Sequence, residues 1–193
     1  VYNILAAICC ALSEGVPIEV IRGVISDFKG VEGRLEAVNS NRGFKVFIDY
    51  AHTDNALENV LNTLRGVTKN KVIVVFGCGG DRDRSKRPRM GKIASRLADY
   101  VIITSDNPRS ESPLAIANEI EKGIDRSFKD YKIIPDRFKA IGEAIKRARL
   151  GDIVLIAGKG HEKYQVVRDK ILPFSDKAIV QKMVSKKGLV EDD

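Results

Sequence analysis

Short apolar runs alternate with amphipathic helical patterns from residue 44 onward, and this alternation limits the possible folds more than any other feature of the chain. The run Lys71–Phe76 is rich in β-branched residues, as is typical of a parallel strand covered on both faces. The alternation predicts a doubly wound α/β fold, with a mostly parallel sheet of about six strands flanked by helices. The predicted strands are Phe44–Tyr50, Lys71–Phe76, Tyr100–Thr104, Tyr131–Ile134 and Ile153–Ala157, and the predicted helices are Thr53–Arg65, Lys86–Leu97, Leu114–Ile124, one after the cap Asp136 and one after the cap Ser175.

The two ends of the chain depart from this alternation. Residues 1–14 and 17–28 each have a helical pattern, and Ile18, Ile21, Ile25 and Phe28 predict a buried stripe on the second helix. Two helices cannot bury such stripes alone, so we assign residues 1–32 to the end of a neighbouring domain and residues 33–193 to the α/β domain. We therefore expect the chain to have been cut from a longer one. Residues 164–174 predict an antiparallel hairpin at the sheet edge.

The composition describes a globular chain of 193 residues with 44% hydrophobic and 31% charged residues. A net charge of +7 favours anionic partners, but it does not choose among nucleotides, phosphates, carboxylates and nucleic acid. Three cysteines, with Cys9 and Cys10 adjacent, form no disulfide framework or metal-binding spacing and suit a reducing compartment. The apolar start at Val1–Leu12 is too short to cross a bilayer. We therefore expect a cytoplasmic protein with no membrane partner and no metal site of its own.

Glycine-rich or charged loops follow four of the five predicted strands. Right-handed crossovers bring such loops to one edge of a parallel sheet, which is where ligands bind in open α/β folds. This clustering predicts a ligand site more strongly than any single motif does. The loops are Asp49–His52, Gly77–Arg84, Asp106–Arg109 and Gly158–Glu162.

Each loop taken alone has more than one interpretation. Gly77–Gly80 resembles the start of a dinucleotide-binding fingerprint, and Gly158–Gly160 resembles a piece of a P-loop, but both lack the full spacing. The basic run Arg82–Arg89 would suit a nucleic-acid backbone, although Asp81 and Asp83 are interleaved with it. Asp106–Pro108 can be a simple turn. A nicotinamide-dependent oxidoreductase and a basic nucleic-acid-binding module therefore stay open at this point.

Six motifs in order along the chain resemble those of the Mur ligases, above all the members that add meso-diaminopimelate. The resemblance covers nearly the whole chain and departs from the family at Asp54, where proline is usual. It implies a Rossmann-like carboxyl-terminal domain at residues 33–193 and the helical end of a central ATP-binding domain at residues 1–32. The motifs are Gly33-Arg34-Leu35-Glu36, Asp49-Tyr50-Ala51-His52-Thr53, Gly77-Cys78-Gly79-Gly80-Asp81-Arg82-Asp83, Lys86-Arg87-Pro88, Asp106-Asn107-Pro108-Arg109 and Gly158-Lys159-Gly160-His161-Glu162.

The resemblance implies part of an ATP-dependent amide ligase of peptidoglycan precursor synthesis. Its substrates would be ATP, UDP-N-acetylmuramoyl-L-alanyl-D-glutamate and meso-diaminopimelate, with an acyl phosphate as intermediate. The P-loop and the Mg²⁺ site would lie mostly upstream, so we expect a monomer that is inactive as this chain alone, with no catalytic or metal-binding residue assigned.

The resemblance also implies roles for particular residues, and a lysine-adding ligase stays the alternative. Arg109 favours meso-diaminopimelate over L-lysine, because a guanidinium suits the extra carboxylate and repels an ammonium. Residues that match the positions holding the amino acid are Arg82, Asp106, Asn107, Pro108, Arg109, Gly158 and Glu162, and those around the adenine and ribose of ATP are Asn3, Arg34, Asp49 and His52.

Overall fold

The computed structural model describes residues 2–185 of the chain, which divides into two compact units, Val1–Val31 and Glu32–Asp193. The first unit holds the two predicted helices, α1 (Tyr2–Ser13) and α2 (Ile18–Asp27). The stripe predicted on α2 is mostly exposed within this unit, in line with the expectation that two helices cannot bury it alone. Ile21 is buried, whereas Ile18, Ile25 and Phe28 are between 38% and 57% exposed, because two short helices offer too little apolar surface to each other.

The second unit is built on a six-stranded sheet, which confirms the predicted α/β fold. The spatial order of its strands is β1-β2-β6-β3-β4-β5, and every neighbouring pair is parallel except β1 and β2. The strands are β1 (Glu36–Asn39), β2 (Lys45–Asp49), β3 (Val72–Phe76), β4 (Tyr100–Ile103), β5 (Tyr131–Ile133) and β6 (Ile153–Ala157), and the helices of this unit are α3 (Asp54–Val67), α4 (Lys86–Leu97), α5 (Pro113–Glu121), α6 (Arg137–Arg147) and α7 (Asp176–Ser185).

Helices cover both faces of the sheet. Helices α3, α4 and α5 pack on one face through residues such as Leu61, Met90 and Ile120, and α6 and α7 pack on the other through Ile141 and Val180. Successive residues of a strand point to opposite faces, so the buried strand β3 contributes to both cores. This is why its sequence is an unbroken apolar run rather than an alternating one.

Three local expectations need correction. Strand β1 was not predicted, because four residues with one buried side chain (Val38) leave almost no pattern. Residues 164–174 do form an antiparallel hairpin, β7 (Tyr164–Val167) and β8 (Lys170–Pro173), but it is a separate two-stranded sheet and not an edge of the main one. The sequence Ser112-Pro113 also predicts a capping serine before α5, but the Ser112 side chain makes no capping hydrogen bond.

Two of the predicted helix caps are confirmed. The side chain of Asp136 accepts a hydrogen bond from the backbone N–H of Lys139, and Ser175 accepts one from the N–H of Ala178. Both caps start helices on the second face of the sheet, after β5 and after the hairpin. They fix where α6 and α7 enter that face.

Candidate functional site

Four loops at the carboxyl edge of the parallel strands enclose a cleft of about 390 Å³, which we call the rim cleft. Because β2, β6, β3 and β4 are neighbours in the sheet, the loops that follow them meet at one edge. Among the residues predicted to hold an amino acid, Pro108 is buried beside the cleft and the others line it. The lining residues are Tyr50, His52, Thr53, Gly79, Arg82, Asp83, Lys86, Asp106, Asn107, Arg109, Gly158 and Glu162.

A hydrogen-bonded group of three side chains lies at the back of the cleft, and we call it the Lys159 cluster: Lys159, Asn107 and Glu162. The Lys159 ammonium donates to Asn107 Oδ1 at 3.1 Å and to Glu162 Oε2 at 2.9 Å. Asn107 Nδ2 also donates to Glu162 Oε2, at 3.0 Å. Burial alone would raise the pKa of the Glu162 carboxyl, but these two donors outweigh it and hold the pKa below its usual range. Glu162 is therefore a carboxylate near neutral pH.

Asp106 adds a second buried carboxylate to the same part of the cleft. Its Oδ1 accepts a hydrogen bond from the backbone N–H of Asn107, at 2.7 Å. Its Oδ2 is buried and has no hydrogen-bond partner among the residues that the structure describes. An unpartnered buried carboxylate oxygen is costly, so a donor from a bound molecule would satisfy it.

Gly158 is needed for this arrangement on two counts. Its φ of 114° is a conformation that residues with a side chain rarely adopt. A Cβ at this position would also lie 2.6 Å from Asp106 Oδ2, so only glycine lets the loop approach that carboxylate.

The Asp106–Arg109 loop is held in place by the β7–β8 hairpin. Arg109 has a φ of 49°, and its backbone N–H donates to Val166 O at 3.1 Å while its carbonyl accepts from the N–H of Arg168 at 2.7 Å. The hairpin also reaches the Lys159 cluster, because the N–H of Val166 donates to Asn107 Oδ1. The Arg109 guanidinium donates to Gly80 O at 2.8 Å, which fixes it beside the glycine loop that follows β3.

The Gly77–Arg84 loop is tied to the Asp106–Arg109 loop through a second charged network, centred on Arg87. This fully buried guanidinium binds both oxygens of Glu111, and it also binds Glu119 and the carbonyl of Gly79. Glu111 accepts a further hydrogen bond from the N–H of Asp81, and hydrogen bonds to Arg87 lower its pKa to about 2. Arg82, the exposed member of the predicted set on this loop, projects from a backbone that these bonds hold.

The residues predicted to contact ATP divide between the two units. Asn3 lies on α1 in the first unit. In the second unit, Arg34 lies 4.8 Å above the Tyr50 ring, and the His52 ring meets the same tyrosine edge-on at 4.6 Å. Asp49 is buried, and its two oxygens accept from the N–H groups of Leu35 and Ala51. Asp49 thus holds the start of β1 against the end of β2.

Sequence reasoning missed Lys159, Arg87 and Asp54 as structural contributors. Lys159 was considered as part of a P-loop fragment and as a member of a family motif without a role of its own. Its partner Asn107 is 52 positions away, which no local pattern reveals. Asp54 was noted only as a departure from the family. It begins α3 after the cap Thr53 and pairs with Arg89 at 2.8 Å, so the turn is held without proline.

Two features are absent from residues 2–185, the part of the chain that the structure describes. No helix among them is long and apolar enough to span a membrane. No group of three or more His, Cys, Asp or Glu side chains among them could hold a metal ion.

Comparisons with known proteins agree with one another. A family model described as "Mur ligase, glutamate ligase domain" matches residues 33–160. A curated relative from Solibacter usitatus, UDP-N-acetylmuramoyl-L-alanyl-D-glutamate–2,6-diaminopimelate ligase, is 51% identical over 97% of this chain, and a relative of the same name from Bacillus velezensis is 48% identical over 95%. The chain spans 38% of the length of the first and 37% of the second.

Solved structures give the same result. A structure of a ligase with that name is 40% identical, with a TM-score of 0.76 over 94% of this chain and 37% of its own. A UDP-N-acetylmuramate-alanine ligase from Thermotoga maritima has a TM-score of 0.67 over 94% of this chain and 36% of its own. At 20% identity, the second match supports the fold alone.

Proposed function

The chain belongs to the Mur ligase family, and from this premise we propose that it is the carboxyl-terminal part of a ligase that adds meso-diaminopimelate to UDP-N-acetylmuramoyl-L-alanyl-D-glutamate. The matched family domain and the relatives near 50% identity support this proposal. The relatives are more than twice as long as this chain, so the complete activity requires further domains. This chain would bind the amino acid and the adenine and ribose portion of ATP.

The distribution of charge in the rim cleft carries the proposal. The cleft is lined by the carboxyl groups of Asp106 and Glu162 and by the guanidinium-bearing side chains of Arg82 and Arg109. Both arginines lie against Gly79, whereas Asp106 lies against Gly158. Meso-diaminopimelate has two ammonium groups and two carboxylates, so it can meet both kinds of charge at once. Guanidinium groups bind carboxylates with charge-assisted, often bidentate hydrogen bonds. L-Lysine lacks the second carboxylate and would leave one guanidinium facing an ammonium.

The reaction would proceed in two balanced steps. The γ-carboxylate of the D-glutamate first takes the terminal phosphoryl group of ATP, giving an acyl phosphate and ADP. The neutral amine of meso-diaminopimelate then attacks the acyl carbon, a C–N bond forms, and inorganic phosphate leaves while the amine loses its proton. Asp106, Asn107, Gly158 and Glu162 would hold the amino-acid head, and Arg82 and Arg109 its carboxylates. These residues contribute through orientation, since a fixed geometry replaces a bimolecular encounter.

ATP would be bound in part by this chain. Arg34, Asp49 and His52 of the second unit are the residues we propose around its adenine and ribose, and Asn3 of the first unit is an expectation from the resemblance. The Arg34, Tyr50 and His52 side chains form an aromatic and cationic surface of the kind that suits a nucleotide. Mg²⁺ would be held mostly by the upstream part, as the resemblance to the family implies. Its role when bound is to neutralise phosphate charge.

A nucleic-acid-binding role is disfavoured by the ion pairs of the basic run Arg82–Arg89. Arg84 pairs with Glu111 and Glu119, Arg87 pairs with the same two acids, and Arg89 pairs with Asp54. Guanidinium groups already neutralised by carboxylates release few counterions on binding a phosphate backbone. We propose a monomer that works in the cytoplasm, where its ATP is available and its cysteines Cys9, Cys10 and Cys78 stay free as they are in this structure.

The proposal is tested by phosphate release from the full-length ligase. We expect release only when ATP, Mg²⁺, the UDP-linked dipeptide and meso-diaminopimelate are all present, with formation of the UDP-linked tripeptide. The present chain alone should release none under the same conditions. Substrate-dependent release by this chain, or salt-sensitive binding of an oligonucleotide with no ligase activity in the full-length protein, would contradict the proposal.

A further inference from the structure

Lys159 is a fully buried lysine between two glycines, and its burial has to be compensated. Gly158 and Gly160 both have positive φ, 114° and 52°, which turns the chain so that the lysine between them faces inward. Its ammonium lies 5.6 Å from the centroid of the Tyr164 ring in addition to its two hydrogen bonds. A buried ammonium is stable only with such partners, so this loop is built around the cation.

The hydrogen bonds of Lys159 determine which way the Asn107 amide points. Asn107 Oδ1 accepts from Lys159 Nζ and from the N–H of Val166, so the oxygen is directed to the protein. The amide nitrogen is then on the side of Glu162, where one of its two hydrogens is used. The second hydrogen stays available for a carboxylate of a bound amino acid.

Lys159 also helps to determine which oxygen of the Glu162 carboxylate is left for a ligand. Both bonds that Glu162 receives end on Oε2, from Lys159 and from Asn107. Oε1 has no hydrogen-bond partner in the part of the chain that the structure describes, and the residue lines the rim cleft. One oxygen is thus anchored and the other is left for a ligand.

We propose that Lys159 is a positioning residue for the amino-acid substrate. It orients the Asn107 amide and keeps Glu162 ionised with one oxygen directed to the substrate ammonium, and it does not touch the substrate itself. This inference rests on the proposed function for the identity of the ligand. It differs from the family-derived assignment, in which Lys159 has no role.

Other charged groups near the Glu162 carboxylate stay in place when Lys159 is replaced. His161 of the same loop and Arg137 of α6 interact electrostatically with Glu162. Asp106 after β4, Lys86 of α4 and Arg109 are further charged side chains that line the rim cleft with Glu162. Removing the Lys159 charge while these stay should therefore raise the pKa of Glu162.

The first test compares steady-state kinetics of the full-length ligase with and without Lys159→Met. We expect the KM for meso-diaminopimelate to rise about ten- to a hundredfold, as for loss of one charge-assisted hydrogen bond, and the KM for ATP to stay within about twofold. The rise should grow as the pH is lowered, because Glu162 then takes up a proton at a higher pH than in the wild type. An equal rise in both KM values, or none, would overturn the proposal.

Lys163→Met is a matched control on the same loop. Its side chain is 71% exposed and pairs weakly with Glu32 at 3.5 Å, so the variant should keep wild-type KM values. A double-mutant cycle of Lys159→Met with Glu162→Gln separates positioning from direct contact. We expect the loss in the double variant to be smaller than the sum of the two single losses, and fully additive losses would contradict positioning through Glu162.

A measurement without substrate separates this inference from the proposed function. Carbon-13 NMR titration of the Glu162 carboxyl in the present chain should show a higher pKa in Lys159→Met than in the wild type. An unchanged pKa of Glu162 would overturn the positioning role even if the ligase uses meso-diaminopimelate. A changed pKa in a protein that rejects meso-diaminopimelate would overturn only the proposed identity of the ligand. If Lys159→Met does not fold, Lys159→Gln replaces it, and failure of both to fold would make the residue a folding requirement and contradict the proposal.

Discussion

Two ion pairs in the α/β unit each contain a fully buried cation but differ in what they leave unsatisfied. Arg137 and Asp176 are both fully buried, and the guanidinium binds Asp176 Oδ1 at 2.8 Å and Oδ2 at 2.7 Å. Lys159 is equally buried, but its partner Glu162 is 16% exposed and has one carboxylate oxygen without a protein donor among the described residues. We call the first the saturated pair, because its charged atoms are hydrogen-bonded within the protein. We call the second the open pair, because one carboxylate oxygen is left for a ligand.

The saturated pair serves the scaffold. Arg137 also donates to the carbonyls of Ser105 and Ala157, so one side chain of α6 ties α7 to the ends of β4 and β6. Each nitrogen of the guanidinium and each oxygen of the carboxylate has a hydrogen-bond partner in the protein. The open pair lies one loop away and faces the rim cleft. The comparison teaches that burial of a charge alone does not mark a binding site. A carboxylate oxygen that lacks a hydrogen-bond donor, in a pair with a buried cation, does.

The largest effect should come from breaking the saturated pair. Arg137→Leu leaves Asp176 as an uncompensated buried carboxylate, and we expect the free energy of unfolding to fall by about 3–5 kcal/mol. Urea denaturation of the present chain measures this loss. The double variant Arg137→Leu/Asp176→Leu should lose clearly less, since it removes both charges. A loss below about 1 kcal/mol in Arg137→Leu would show that the pair is not structural.

A partly exposed pair, Arg87 with Glu111, gives a smaller effect that depends on pH. The pKa of the Glu111 carboxyl, about 2, lies below the value of 4.5 expected for the unfolded chain. Glu111 therefore stabilises the fold above pH 4.5 and loses this contribution as the pH falls towards 2. The slope from this one group is at most about 1.4 kcal/mol per pH unit. We expect Glu111→Gln to be less stable at pH 6 and to lose less on acidification. Parallel acid-unfolding curves for the two proteins would contradict this account.

Much of the fold was predictable because its signals are local. The β-branched run at β3 and the caps Asp136 and Ser175 each depend on residues within a few positions. Strand β1 was missed because an edge strand with one buried residue has little pattern of its own. The separation of the β7–β8 hairpin from the main sheet was missed because its contacts with Asn107 and Arg109 span more than 50 positions.

The sequence predicted which residues line the site but not how their side chains contact one another. The loops that follow parallel strands must meet at one edge, so the residues of the rim cleft could be expected together. The anchoring of Asn107 by Lys159, the orphaned Asp106 Oδ2 and the saturation of Arg137 depend on side-chain geometry. No spacing in the sequence carries that information.

The choice between meso-diaminopimelate and L-lysine tests the central claim most directly. The measurement is kcat/KM for each amino acid with the full-length ligase, in the wild type, in Arg109→Ala and in the control Arg96→Ala, whose exposed guanidinium pairs with Glu58 outside the cleft. We expect a strong wild-type preference for meso-diaminopimelate that Arg109→Ala narrows by about ten- to a hundredfold, equivalent to about 1.5–3 kcal/mol, and that Arg96→Ala leaves unchanged. A wild-type enzyme that uses L-lysine equally well, or an Arg109→Ala variant that loses both amino acids in equal measure, would contradict the account.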